Sequence, residues 1–166
     1  DRCELWVGSQ SPSRTRRTAA AVAGFPLEKV IGNVMQLGGG FGRRAGQDFV
    51  AEAVEVGVHL QRPVQLFWSR EDDLAHGAFR CAAAISLMAT TTDDRLPDTL
   101  VCRVAIASPQ ENLQLETKDH IEGLSYDIEN VDVRWSGVRA PLPVTIWRSV
   151  NYSYTVFAIE SFMDEL

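Results

Sequence analysis

Four glycines fall within five residues at Gly38-Gly39-Gly40-Phe41-Gly42, with Arg43 and Arg44 directly behind them. Glycine has no Cβ, so such a backbone reaches positive φ and lets a ligand lie close against its N–H groups. Consecutive N–H groups in a loop of this kind form a concavity suited to anionic oxygen or sulfur. Arg43 and Arg44 carry charge that could hold a phosphate. The same pair also reads as a solvated helix start, and the residues alone leave both readings open. Neither common phosphate motif fits. A dinucleotide fingerprint begun at Gly38 and Gly40 places its third glycine on Arg43, and no Lys-Ser or Lys-Thr follows to make a P-loop.

The other chemistry-bearing residues give weaker signals. Asp72 and Asp73 follow Ser69, where carboxylates suit the positive end of a helix, and this outweighs a metal reading. His76 has no second ligand nearby and reads as structural. Cys3, Cys81 and Cys102 are widely spaced and form no metal-ligand pattern with His59, His76 and His120. Gln10 sits in a Ser9-Gln10-Ser11-Pro12 turn and is either a turn residue or a site residue. Trp147 is open between a stacking and a core role. Tyr152 and Tyr154 read as helix-packing residues.

The elements that must position the loop follow from periodicity. Glu4 to Ser9 predicts a strand. Ser11-Pro12-Ser13 predicts a helix start, with a helix from Arg14 to Ala23 ending at Gly24. A turn at Phe25-Pro26 leads to a strand from Lys29 to Leu37, which feeds the loop. Phe49, Val50, Ala53, Val54, Gly57 and Leu60 recur at helical spacing between Gln47 and Leu60. Strand, glycine loop and helix in succession predict a helix N-terminus that could hold phosphate. Beyond it come a short strand at Val64–Trp68 and a helix from Ser69. Strands from Arg80 to Thr91 and Thr99 to Ala107 are expected to pair across residues 93–98. Another strand runs from Val131 to Trp135, and a final helix begins near Asn151. Gln110 to Gly123 is polar and unassigned. The order lacks strict βαβ regularity and predicts an α+β fold.

Composition sets outer bounds. At 166 residues, 45% hydrophobic and 23% charged, the chain has the composition of one globular domain. A net charge of −6 argues against a nucleic-acid partner. No apolar run approaches the roughly 20 residues of a membrane span, and the first residues follow no signal-peptide pattern. The first residues are already strand-like, and the last helix has no glycine or proline stop. Residues 1–166 are therefore expected to be one domain inside a longer polypeptide.

Four blocks together resemble the molybdenum-cofactor-binding subunit of the xanthine dehydrogenase and aldehyde oxidase superfamily, of the isoquinoline 1-oxidoreductase or bacterial aldehyde dehydrogenase type. They are Leu5 to Pro12; Gly38 to Arg44 with Asp48-Phe49-Val50; Pro63-Val64 through Trp68 to Asp73 and on to Arg80; and Trp147 to Val150 followed by Ala158 to Leu166. They keep the family's order and approximate spacing over nearly the whole chain.

The resemblance implies molybdenum-molybdopterin, in its cytosine dinucleotide form, held by Gly39, Gly40, Phe41, Gly42, Arg43 and Arg148, with no protein ligand to the metal. It places Phe41 and Gly42 beside the metal, Arg148 near the pterin, and Phe41 and Arg80 in the substrate channel. Ala45 stands where purine oxidisers carry an acidic residue, which argues against a xanthine-like substrate. It implies aldehyde or N-heteroaromatic substrates with water as the oxygen source. Its partners would be a [2Fe-2S] subunit and, in this subtype, a cytochrome c subunit; the family is compatible with a periplasmic location, with a cytoplasmic one left open. The family's catalytic glutamate has no counterpart here, since Glu160 and Glu165 belong to the terminal motif, so this chain alone is expected not to turn over. Two alternatives are a nucleotide- or phosphate-binding domain of another enzyme class and a homologue that lacks the cofactor.

Overall fold

A computed structural model describes residues 1–94, 96–107, 121, 123, 125–139 and 141–166. The chain divides into two compact units, Asp1–Gly77 with Thr145–Arg148, and Ala78–Val144 with Ser149–Leu166. Helices and strands follow each other in mixed order, which is the expected α+β class.

The first unit opens with strand β1 (Cys3–Val7), helix α1 (Pro12–Ala23) and strand β2 (Val30–Val34). The strands pair in parallel, from Cys3 against Val30 to Val7 against Val34. Parallel neighbours need a crossover, and α1 supplies it. Pro12 begins the helix where its missing N–H costs nothing, and Gly24 ends it in the left-handed region at φ 67. Ala19 is fully buried against Val30 and against Val50 and Val54 of helix α2 (Asp48–Leu60), so a methyl group sets the spacing between the helices. Arg16 reaches back from α1 and donates to the carbonyls of Val30 (3.0 Å) and Leu27 (2.9 Å). Its stem lies over Gly32, where an added Cβ would meet it at 3.1 Å.

Two expected strands in this unit differ. The strand into the glycine loop ends at Val34 rather than Leu37, because β1 stops at Val7 and offers no ladder beyond the bond from Met35 N–H to the Val7 carbonyl. Val64–Trp68 is not a strand. It has no ladder partner among the described residues, and it packs along α2, with Val64 beside Gly57 and the Trp68 indole donating to Glu52 at 2.9 Å. Helix α3 (Arg70–His76) then starts where expected, with a reciprocal capping box between Ser69 and Asp72.

In the second unit β3 (Ala82–Thr91), β4 (Pro97–Ala107) and β5 (Asn130–Val138) form a sheet in that order. The expected β3–β4 pair is antiparallel, and β5 joins β4 in parallel, one residue earlier at its start and three residues longer at its end than the expected Val131–Trp135. β4 is central and alternates: Leu100, Cys102, Val104 and Ile106 are buried, while Arg103 between them is exposed. Helix α4 (Tyr152–Glu165) packs on β3 and buries Thr155 and Ile159. Of the unassigned stretch Gln110 to Gly123, only Ile121 and Gly123 lie among the described residues, and Ile121 is buried; His120 lies outside them.

Candidate functional site

The glycine loop is a set shape, and each constraint traces to a residue. Gly39, Phe41 and Gly42 have φ of 148°, 49° and 82°. Gly39 is needed twice, because an added Cβ would also strike the Phe41 ring at 2.5 Å. A Cβ on Gly40 would strike the Gln10 side chain. At Gly42 it would meet the Ile146 carbonyl at 2.8 Å. Gly38 differs: its φ is not in the positive range and an added Cβ would meet nothing. The space beside Gly38 is therefore open for a close approach to the backbone. Phe41 is held in a backbone conformation that few non-glycine residues adopt, yet it is 58% exposed. A loop this constrained presents its aromatic ring outward rather than to a core.

The Ser-Gln-Ser-Pro turn is the loop's scaffold. Gln10 Oε1 accepts from the Gly42 N–H at 2.9 Å, and the Gln10 N–H donates to the Arg44 carbonyl at 3.0 Å. Gln10 therefore serves both as a turn residue and as a strut of the loop. Behind it, the Thr15 hydroxyl donates to Gln47 Oε1 at 2.8 Å and lies 3.0 Å from Ser9 Oγ. The Gln47 amide donates to the Ala45 carbonyl at 2.9 Å. Thr15 is buried, so this chain of polar groups fastens the helix α1 start to the loop's exit.

Both arginines behind the glycines are engaged. Arg43 forms a forked pair with Asp48 at 2.8 and 2.7 Å. The hydrogen bond to Asp48 raises the Arg43 pKa. Burial pushes the Asp48 carboxyl up, but the bond and charge of Arg43 outweigh it and hold the carboxyl below its ordinary value. Arg44 lies 4.0 Å over the Phe49 ring and donates to the Gly8 carbonyl at 3.1 Å. Burial, with Arg43 alongside, lowers its pKa. The expected phosphate seat at a helix N-terminus is not built. A 3-10 turn, Arg43–Ala45, separates loop from helix, and Asp48 already places a carboxylate in the first turn of α2.

The remaining candidates are placed as follows. Arg148 is exposed and Trp147 half-buried, both in the segment whose Ile146 carbonyl abuts Gly42. In the other unit, Arg80 donates to the Val150 carbonyl at 2.8 Å and to Ser153 Oγ at 2.9 Å. Asp72 is held below its ordinary pKa by the Ser69 hydrogen bonds of the cap, which settles the helix-start reading. Among the described residues no group of three or more His, Cys, Asp or Glu side chains is arranged to hold a metal. The three cysteines are free thiols. No helix among them is long and apolar enough to cross a membrane. The Arg43–Asp48 fork and the Thr15–Gln47 bond were missed in the sequence. The first had a signal, an acid five residues after an arginine at a helix start; the second had none.

The chain matches the family described as molybdopterin cofactor-binding domain over residues 1–166. It is 28% identical over 174 residues to isoquinoline 1-oxidoreductase subunit beta of Brevundimonas diminuta, across 98% of this chain and 22% of that protein. It is 29% identical over 182 residues to the membrane-bound aldehyde dehydrogenase (pyrroloquinoline-quinone) of Gluconacetobacter polyoxogenes, across 98% of this chain and 23% of that one. The fold is similar to that of quinoline 2-oxidoreductase from Pseudomonas putida 86, with a TM-score of 0.74 and 19% identity over 90% of this chain and 20% of the other. The chain spans about a fifth of the length of these relatives. A full-length family match, relatives aligned from end to end of the chain, and a shared fold agree: the chain belongs to the molybdopterin cofactor-binding domain family of the xanthine dehydrogenase and aldehyde oxidase superfamily.

Proposed function

We propose that this chain is part of the cofactor-binding subunit of a molybdenum hydroxylase that oxidises aldehydes or N-heteroaromatic compounds, with water as the oxygen source. The observation that carries the reading is the constrained glycine loop, open beside Gly38 and presenting Phe41 outward. These residues fit a flat, anionic cofactor. The backbone at Gly38 can be approached closely, and the loop is fixed before anything binds, so little ordering cost falls on binding.

Molybdenum-molybdopterin, bound here, supplies oxygen-atom and two-electron chemistry that no protein side chain offers. The chain's own residues orient and shield. Gly39, Gly40 and Gly42 set the path of the loop, and the backbone at Gly38 would be the part open to the cofactor. Phe41 forms an apolar wall of the substrate channel and excludes water from it. Arg148 supplies positive charge toward the pterin. Arg43 contributes through the loop's shape, since Asp48 holds its guanidinium.

In this reading, iron–sulfur clusters on a partner [2Fe-2S] subunit would carry the electrons away. A cytochrome c subunit, a periplasmic location and the cytosine dinucleotide form of the pterin belong to the same proposal. The catalytic glutamate is expected outside residues 1–166, and the chain alone is expected not to turn over. A phosphate-binding alternative is disfavoured by Asp48, whose carboxylate occupies the helix start that a phosphate would need.

The test is molybdenum content, by mass spectrometry, of the complete parent subunit made in a host that synthesises the pterin. About one metal per chain, lost in Gly42→Val, is the expected result. A folded subunit without metal from a competent host overturns the reading and leaves the loop as a structural turn.

A further inference from the structure

Two consecutive non-glycine residues, Ser149 and Val150, have φ of 71° and 45°. The left-handed region is costly for any side chain and most of all for a β-branched one. A turn built from Ser-Val in this conformation persists only if its surroundings over-determine it. Arg80, about 70 positions earlier in the chain, donates from one guanidinium nitrogen to the Val150 carbonyl (2.8 Å) and to Ser153 Oγ (2.9 Å). The Ser153 hydroxyl in turn leans on the Val150 carbonyl at 3.4 Å, and the Tyr152 N–H closes the turn on the Ser149 carbonyl at 2.8 Å. One cation thus grips the strained peptide and the first turn of α4 together. Asn151 gives its N-terminal helix position no side-chain cap, and its side-chain oxygen accepts from the Tyr154 hydroxyl.

We propose that Arg80 is a positioning residue that latches the strained Ser149–Val150 turn onto the first turn of α4. A charge-assisted pair of hydrogen bonds is strong enough to hold such a turn, whereas a residue reserved for substrate would leave it to relax.

The experiment is amide hydrogen exchange of the full chain without cofactor, reading residues 149–154 relative to Cys102 and Val104 of β4 in the same sample, so that a general loss of stability divides out. Arg80→Ala is expected to speed exchange at 149–154 about tenfold relative to β4. Arg80→Lys, which keeps a donor and the charge, restores most of the protection. Ser149→Gly in the Arg80→Ala background also restores it to within about threefold, because glycine accepts positive φ without strain. Unchanged exchange in Arg80→Ala overturns the latch. So does a further loss on adding Ser149→Gly, which would place the strain elsewhere. Because the exchange measurement uses no cofactor, its outcome is independent of the molybdenum assay.

Discussion

The Gly42 N–H and the side-chain oxygen of Gln10 meet at 2.9 Å across 32 positions of sequence. This bond joins the turn after β1 to the glycine loop after β2, the same two strands that pair in parallel beneath them. The sheet brings the two turns to one end, and Gln10 converts that proximity into a fixed loop conformation. Neither residue alone explains the loop. Gly42 provides the positive φ and the room beside Ile146, and Gln10 provides the partner for its N–H.

Gly42→Ala is therefore expected to lower stability by about 2 kcal/mol, from forcing a Cβ into the left-handed region and against a backbone carbonyl that has no flexible end to move. Urea denaturation followed by tryptophan fluorescence measures it. A loss below about 0.5 kcal/mol, within the range of an ordinary surface change, would mean that the loop relaxes and is not fixed as described.

The Arg43–Asp48 fork makes a pH prediction with a definite sign. Asp48 has a folded pKa below its unfolded value, despite the opposing effect of burial, because Arg43 bonds to it. Its contribution is therefore present above the unfolded pKa near ~3.9 and is lost as pH falls through the folded value. Stability of the native chain should drop between pH 5 and the acid limit by more than that of Asp48→Asn, by about 0.5 to 1 kcal/mol given the exposure of the pair. Equal acid losses in the two proteins would show that the fork is not coupled to folding.

Much of this was legible in the sequence. Helix α1 was readable from Pro12 and Gly24, α3 from Ser69 and its carboxylates, and the β3–β4 pair from two apolar runs flanking a polar turn. Those signals are local. What was not legible depends on partners distant in sequence. Val64–Trp68 has the composition of a strand, but strand formation needs a neighbour with a free edge, and the segment has no ladder partner among the described residues. The glycines marked the loop, but their number hid their different duties. Gly39, Gly40 and Gly42 are required by Phe41, Gln10 and Ile146, while none of the described residues requires Gly38. The arginines looked available for phosphate because Asp48 and Phe49, which engage them, read as the apolar face of a helix and its first acidic residue.

The cysteines should differ sharply in reactivity. Burial pushes the Cys102 thiol up to about 11, and the side chain is closed to solvent in the centre of β4. Cys3, half-buried at the start of β1, is raised by burial to a smaller extent. Alkylation of the native chain at pH 8 is expected to modify Cys3 and leave Cys102 intact, with all three thiols reacting in denaturant. Peptide mass mapping reads this directly. Labelling of Cys102 in the native chain at a rate close to that of Cys3 would show that β4 opens locally.

Thr15 offers the most demanding test of how the loop is held. Its hydroxyl is buried, and it is the point where α1, the Ser9 turn and Gln47 meet. Thr15→Val keeps the shape and the β-branch but removes the donor to Gln47 Oε1. The change leaves a partly buried amide oxygen without its bond, and that loss is expected to cost about 1 to 3 kcal/mol. The effect should also be local. Gln47 holds the Ala45 carbonyl through its other end, so losing its anchor should loosen the 3-10 turn Arg43–Ala45 and raise amide exchange there before the helices are affected. Thr15→Ser keeps the hydroxyl and should recover most of the stability. If Thr15→Val loses little while Thr15→Ser loses stability, packing of the methyl group, and not the hydrogen bond, is what fastens the loop to α1.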